Sequence, residues 1–210
     1  MEIQQLNNTI IIFRRELKSF FDSPMAYVFL VVFAVVNGYF FTNTFFLYGQ
    51  SDMRALFGIV PLVYLFFIPG VMMGLISREK GLGTLEIITT LPTNDRDIVL
   101  GKYLAGFVLI LIALLTTSLH YITLIAVGNE IDHGAVFTGY LGLALVGGVY
   151  ASIGLFSSAL TDNQVVSFIV GIAIIFVFWL MDKMLLFVHP SLAGIVQYLS
   201  VEFHLSNISR

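Results

Sequence analysis

Five stretches of this chain, 25–47, 55–76, 103–127, 134–159 and 164–181, contain no Asp, Glu, Lys or Arg. Each is close to the roughly 20 apolar residues that cross about 30 Å of hydrocarbon. Inside lipid there is no water to satisfy backbone N–H and C=O groups, so each run must form its own ladder as a helix. The alternating pattern of a membrane barrel is absent. Composition agrees: 58% of residues are hydrophobic and 11% charged, where soluble domains carry about 25% charged residues. So few charges could not solvate the surface of a water-soluble globule of 210 residues. The expected fold is an all-α integral membrane protein with a single transmembrane domain over residues 1–210. The first run is too long for a signal-peptide core and has no small-residue cleavage site after it, so it is expected to remain as an uncleaved span. A net charge of −3 points away from nucleic acid. The absence of cysteine excludes disulfides and thiolate metal ligands.

Basic residues orient the spans. With the N-terminus in the cytoplasm, the inside segments hold seven Lys and Arg residues: Arg14, Arg15, Lys18, Arg78, Lys80, Arg96 and Lys102. The outside segments hold three: Arg54, Lys183 and Arg210. Residues 1–24 read as an interfacial helix, with Leu6, Ile10, Phe13, Leu17, Phe20 and Phe21 on the apolar side and Arg14, Arg15 and Lys18 among its polar positions. It either lies flat on the inner leaflet or touches a soluble partner. Residues 182–205 are apolar but broken by Asp182, Lys183, His189, Pro190, Glu202 and His204. They read as external, partly re-entrant helices.

Residues 77–97 hold seven charges between two uncharged runs. On a helix at about 100° per residue, Leu85, Ile87, Ile88 and Leu91 share one arc, and Glu86, Thr89 and Thr90 the other. Pro92 ends that helix, and Thr93, Asn94 and Asp95 suit the start of the next. The pattern predicts a short amphipathic helix held at the cytoplasmic surface, where it can be offered to a soluble partner.

This segment resembles the coupling segment of ABC-2 type transporter permeases in Glu79, Gly83, Thr84, Glu86, Leu91 and Pro92. Ile98 to Lys102 are similar to the start of that family's third span. Arg14, Arg15, Glu16, Leu17, Lys18, Phe20, Ser23 and Pro24 are similar to the approach to its first. Within the family the chain looks most like gliding-motility-associated permeases. The resemblance implies an ABC-2 transmembrane domain of type V exporter form in a bacterial inner membrane. It also implies a separate ABC ATPase subunit that binds ATP, and a second permease, identical or homologous. The coupling residues it implies are Glu79, Lys80, Gly83, Thr84, Leu85, Glu86, Ile88, Leu91 and Pro92. It further implies a sixth span after the segment that ends at Arg210, so the native chain is expected to continue.

The residues carry no catalytic set. Gly101-Lys102 is followed by Tyr103, and no glycine stands five positions before Gly101, so no phosphate-binding loop forms there. The chain is not expected to be an enzyme or to hold a cofactor or metal of its own. His120, His133, His189 and His204 lack close ligand spacing. His120 lies within a span beside Thr116, Thr117 and Ser118, so it is either functional or a neutral ring bonded to one of those hydroxyls. Gly70 and Gly74, and the small residues from Gly142 to Ser158, allow close helix approach, within the chain or at a homodimer seam. Pro61 and Pro69 are expected to kink the second span. Tyr64, Phe66, Phe67, Phe168, Phe176 and Trp179 either line an amphipathic path or face lipid. An ion-coupled carrier is the competing function, though the spans hold no carboxylate. A non-transporting anchor for an envelope machine is another. Lipid, polysaccharide, ion and peptide all remain open as substrates.

Orientation is directly testable. Thr89→Cys and Ile131→Cys, introduced singly, should react with membrane-impermeant thiol reagents from opposite sides, position 89 from the cytoplasm. Labelling of both from outside overturns the assignment.

Overall fold

The computed structural model describes residues 2–47, 53–90, 93–127 and 132–184, and all their regular structure is helical. Helix α1 is Glu2–Asp22, α2 Pro24–Thr42, α3 Arg54–Met72, α4 Gly74–Gly81 and α5 Leu85–Thr89. Then follow α6 Asp95–Thr116, α7 Ser118–Val127, α8 His133–Leu160 and α9 Gln164–Met184. A π-helical turn, Asn43–Leu47, ends α2. Five segments are long and apolar enough to cross a membrane: Pro24–Phe45, Leu56–Gly81, Asp95–Val127, His133–Leu160 and Gln164–Met181. Each overlaps one of the five uncharged runs, and the second and third reach beyond theirs into the charged residues of 77–102. Of the expected external helices at 182–205, everything from residue 185 lies outside the described residues, as do Leu91 and Pro92.

The second span is the centre of the bundle. Its most apolar window is 61% buried, against 22% for the first span and 17% for the fifth. Helix α3 packs on α8, α9 and α2, while α6 packs on α8 and α1. Lipid gives no hydrophobic drive between apolar helices, so close fit must hold them. The small residues of α8 provide it. A β-carbon on Gly154 would lie 2.8 Å from Met72 Cβ, one on Gly147 3.2 Å from Ile110, and one on Gly139 inside the Phe57 ring. Gly70 and Gly74 face Phe168 and Gln164 of α9, so these contacts are made within the chain.

Two spans are broken, and the second breaks where its prolines do not predict. Helix α3 runs through Pro61 and Pro69 and ends at Met72. Ser158 of α8 makes the interruption at Met73. Its hydroxyl accepts the N–H groups of Ile76 and Ser77, both at 3.0 Å, and donates to the Met73 carbonyl at 2.7 Å. It thus caps α4 from another helix, taking N–H groups that a new helix leaves orphaned. The third span breaks at Thr117. The hydroxyls of Thr116, Thr117 and Ser118 turn back to the carbonyls of Ala113, Leu114 and Leu115. His120 instead stacks on Phe41, with ring centroids 4.8 Å apart, over Gly38. That is an aromatic packing role in place of the expected hydroxyl bond.

Helix α1 is seated on the bundle by part of its polar side. Its contact stripe on α6 is Thr9, Ile12 and Glu16. Ile12 is buried, whereas Ile10 is exposed and Phe13 and Leu17 are half-buried. Thr9 donates to Asp97 Oδ1 at 3.0 Å, and Asp97 Oδ2 accepts the Asn94 N–H at 3.4 Å at the start of α6. The polar stripe prevails because α6 begins with charged residues that need partners on α1. Gly101 makes the approach possible: a β-carbon there would lie 2.7 Å from Ile12 Cγ2 and 3.0 Å from the Thr9 carbonyl oxygen. Gly101→Val should therefore force α1 from α6 and cost about 1–3 kcal/mol or more. The thermal midpoint of the detergent-solubilised protein should fall. An unchanged midpoint would show that α1 is not seated on α6 in this way.

Candidate coupling site

Within the charged segment 77–97 the described residues form the end of α4, the short α5 and the start of α6, and the sequence explains the turn between α4 and α5. Helix α4 closes with Leu82 N–H on the Arg78 carbonyl and Gly83 N–H on that of Lys80, at 3.1 and 3.0 Å. Thr84 N–H follows on the Glu79 carbonyl at 2.9 Å. Gly83 sits at φ +68°, the left-handed region that a glycine enters without a β-carbon penalty. The Thr84 hydroxyl also reaches the Glu79 carbonyl, at 3.3 Å. The Glu79…Gly83-Thr84 spacing is thus a helix stop followed at once by the five-residue helix α5.

That short helix is not amphipathic in the expected way. Leu85 and Ile88 are half-buried, and Leu85 packs against the core. Ile87, placed by periodicity on the same arc, is 65% exposed beside the exposed Glu86, Thr89 and Thr90. Leu82, on the preceding turn, is 68% exposed. One turn is too short for a full apolar stripe, so only two positions face inward. The outward surface is Leu82, Glu86 and Ile87: two apolar side chains beside a carboxylate.

Glu79 and Lys80 point elsewhere. Lys102 is fully buried, and its Nζ lies 2.8 Å from Glu79 Oε1, 3.0 Å from Glu16 Oε1 and 2.7 Å from the Leu75 carbonyl. Arg15 bonds to Glu16 and, at 3.1 Å, to Glu79 Oε1. Two cations and two anions from α1, α4 and α6 therefore meet in one neutral cluster. Burial would lower the Arg15 pKa, but the hydrogen bond and charge of Glu16, with those of Glu79, outweigh it and raise the pKa. Lys80 Nζ donates to the Ala159 carbonyl at the end of α8. A β-carbon on Gly81 would meet the Asp162 carbonyl oxygen at 2.7 Å. Helix α4 is thus held through Glu79 by α1 and α6, and through Ser158, Ala159 and Asp162 by α8 and the loop after it. Lys102, Glu16, Arg15 and Ser158 belong to this site although the sequence did not place them there. The unpaired look of Lys102 at the head of an apolar run was the available signal.

The aromatic and glycine candidates separate. Phe67, Gly70 and Phe168 line one groove of about 440 Å³ with Phe20, Met25 and Phe29, and its walls are almost wholly apolar. Tyr64 is buried instead, stacked on Phe33. Phe176 is exposed and stacks on Trp179. Gly74 sits against Gln164. Among the described residues, no cluster of His, Cys, Asp and Glu is arranged to hold a metal.

Five helices long and apolar enough to cross a membrane define a multi-pass membrane protein. The family model for ABC-2 family transporter proteins matches residues 10–204, and the chain belongs to that family. It is accordingly a membrane-spanning transporter component of the permease type. A search of curated proteins found no match to the chain.

Removing the buried cation should be severe. Lys102→Met leaves Glu16 and Glu79 facing one another with only the half-exposed Arg15 between them, at a cost of about 3–5 kcal/mol. Lys80→Met, at an exposed site, should cost much less. Comparing the thermal midpoints of the two variants tests this, and equal midpoints would refute the central place of Lys102.

Proposed function

We propose that this chain is the permease subunit of an ATP-driven exporter in a bacterial inner membrane, with its N-terminus in the cytoplasm. A separate ABC ATPase subunit binds and hydrolyses ATP and docks on the α5 tip. A second permease, identical or homologous, completes the translocation path. The observation that carries this reading is the exposed Leu82–Glu86–Ile87 surface on a segment braced from two sides. Exposed apolar side chains at a bilayer-distal tip are costly in water and useful at an interface, and the bracing lets a push on them reach the spans. Seven of the basic residues fall on the side that would face the ATPase if the orientation holds. Family membership favours this reading over an ion-coupled carrier. The sequence likeness to gliding-motility-associated permeases supports a place in an envelope machine for the exporter.

The apolar groove formed by Phe20, Met25, Phe29, Phe67, Gly70 and Phe168 opens between α2 and α9, the two least buried spans. It supports a path for a substrate with an apolar part, closed by the second permease.

The docking surface can be tested without knowing the substrate. Ile87→Asp and Glu86→Lys should each abolish co-purification with the ATPase, or leave hydrolysis uncoupled from transport. The stability of each variant should stay within about 1 kcal/mol of the parent, because both side chains are exposed. Full retention of the ATPase and of transport in both variants would remove α5 as the docking site.

A further inference from the structure

The N-terminal helix is joined to the coupling segment by charge. Along the chain, the route from α5 into the membrane passes through the break at Met73, where the Ile76 and Ser77 N–H groups bond to Ser158 of α8. Sideways, the route is different. Lys102 holds α4 at two points one turn apart, the Leu75 carbonyl and the Glu79 carboxylate, and with the same ammonium holds Glu16 of α1. Arg15 ties α1 to Glu79 a second time. Further along the same stripe α1 is seated on α6 through Thr9–Asp97 and the Ile12–Gly101 contact. Helix α1 also runs directly into α2, across Ser23, whose hydroxyl caps α2.

We propose that α1, α4 and the first part of α6 move as one body, with Lys102 as its joint. A displacement of α5 would then be delivered through α1 to α2, the span that walls one side of the apolar groove, as well as to α3. Glu16, Arg15 and Lys102 are positioning residues: they touch neither ATP nor substrate, and act by fixing α1 to the segment the ATPase would push. This rests on the coupling reading above, and the experiment separates the two.

The test uses the full chain with its co-purified partners in lipid nanodiscs. The chain has no cysteine, so spin labels at Ser19→Cys on α1 and Arg78→Cys on α4 report that separation alone by electron paramagnetic resonance. A second pair, Val127→Cys and Phe137→Cys, reports on the integrity of the opposite end. The expected result is one narrow α1–α4 separation that keeps its value when a non-hydrolysable ATP analogue is added. Glu16→Gln, which preserves shape and removes the charge that α1 offers to Lys102, should broaden or split that separation while the far pair is unchanged. Lys102→Arg should restore more order than Lys102→Met. An α1–α4 separation that shifts with nucleotide in the parent chain overturns the proposal. So does an unbroadened separation in Glu16→Gln. If Lys102→Met also disturbs the far pair, it has unfolded, and Glu16→Gln alone decides. If no ATPase co-purifies, the docking reading fails, while the nucleotide-free comparison of the parent with Glu16→Gln still decides the joint.

Discussion

A lysine ammonium enclosed by protein at the edge of a membrane is the constraint around which this molecule is arranged. Taking such a charge out of water costs several kcal/mol, and only well-placed opposite charges offset it. Lys102 obtains two carboxylates and a backbone carbonyl, each from a segment that must be correctly placed to supply it. Helix α1 has to lie along α6, α4 has to turn over the start of the third span, and Gly101 has to let α1 come close. The cluster therefore acts less as a source of net stability than as a condition on geometry, satisfied by one arrangement of three helices.

Helix packing within the spans follows a different rule. Between α3, α6 and α8 the contacts are steric, with large side chains of one helix entering the space left by glycines of another, as Met72 does at Gly154 and Phe57 at Gly139. Polar side chains inside the bundle mostly bond to their own helix, as Asn37 does to the Phe33 carbonyl and Ser157 to that of Gly154. A polar group in hydrocarbon finds its nearest acceptor one turn away. Ser158 departs from this habit, and it is the residue that breaks a span.

What could be read from the sequence divides along the same line. The spans were legible because absence of charge over some 20 residues has one physical meaning in lipid. Gly83 and Thr84 were legible only as part of the coupling-segment resemblance, and the left-handed turn that makes them a helix stop is what the structure adds. The break at Met73 was not, because its cause lies at Ser158, in another helix, while the prolines that drew the eye are accommodated in α3. The outward turn of Ile87 was hidden for a related reason. Periodicity assigns faces only when a helix is long enough to have them, and α5 has five residues. Glu79 was read as a coupling residue from the resemblance, and Lys102 as an inside basic residue at the start of the third span. Their meeting depends on how three helices converge, which no local pattern encodes. Helix α1 was read as lying on the leaflet or against a soluble partner, and its seat on α6 through Asp97 and Lys102 was hidden for the same reason.

The hydroxyl at Ser158 has one proton and two lone pairs, and all three are engaged, with Met73, Ile76 and Ser77. The Met73 carbonyl also takes the hydroxyl of Ser77, so of these partners it is the Ile76 and Ser77 N–H groups that depend on Ser158. The angle at Met73 is therefore set by α8: any change in how α3 meets α4 has to carry Ser158 along or give up the bonds it makes to both.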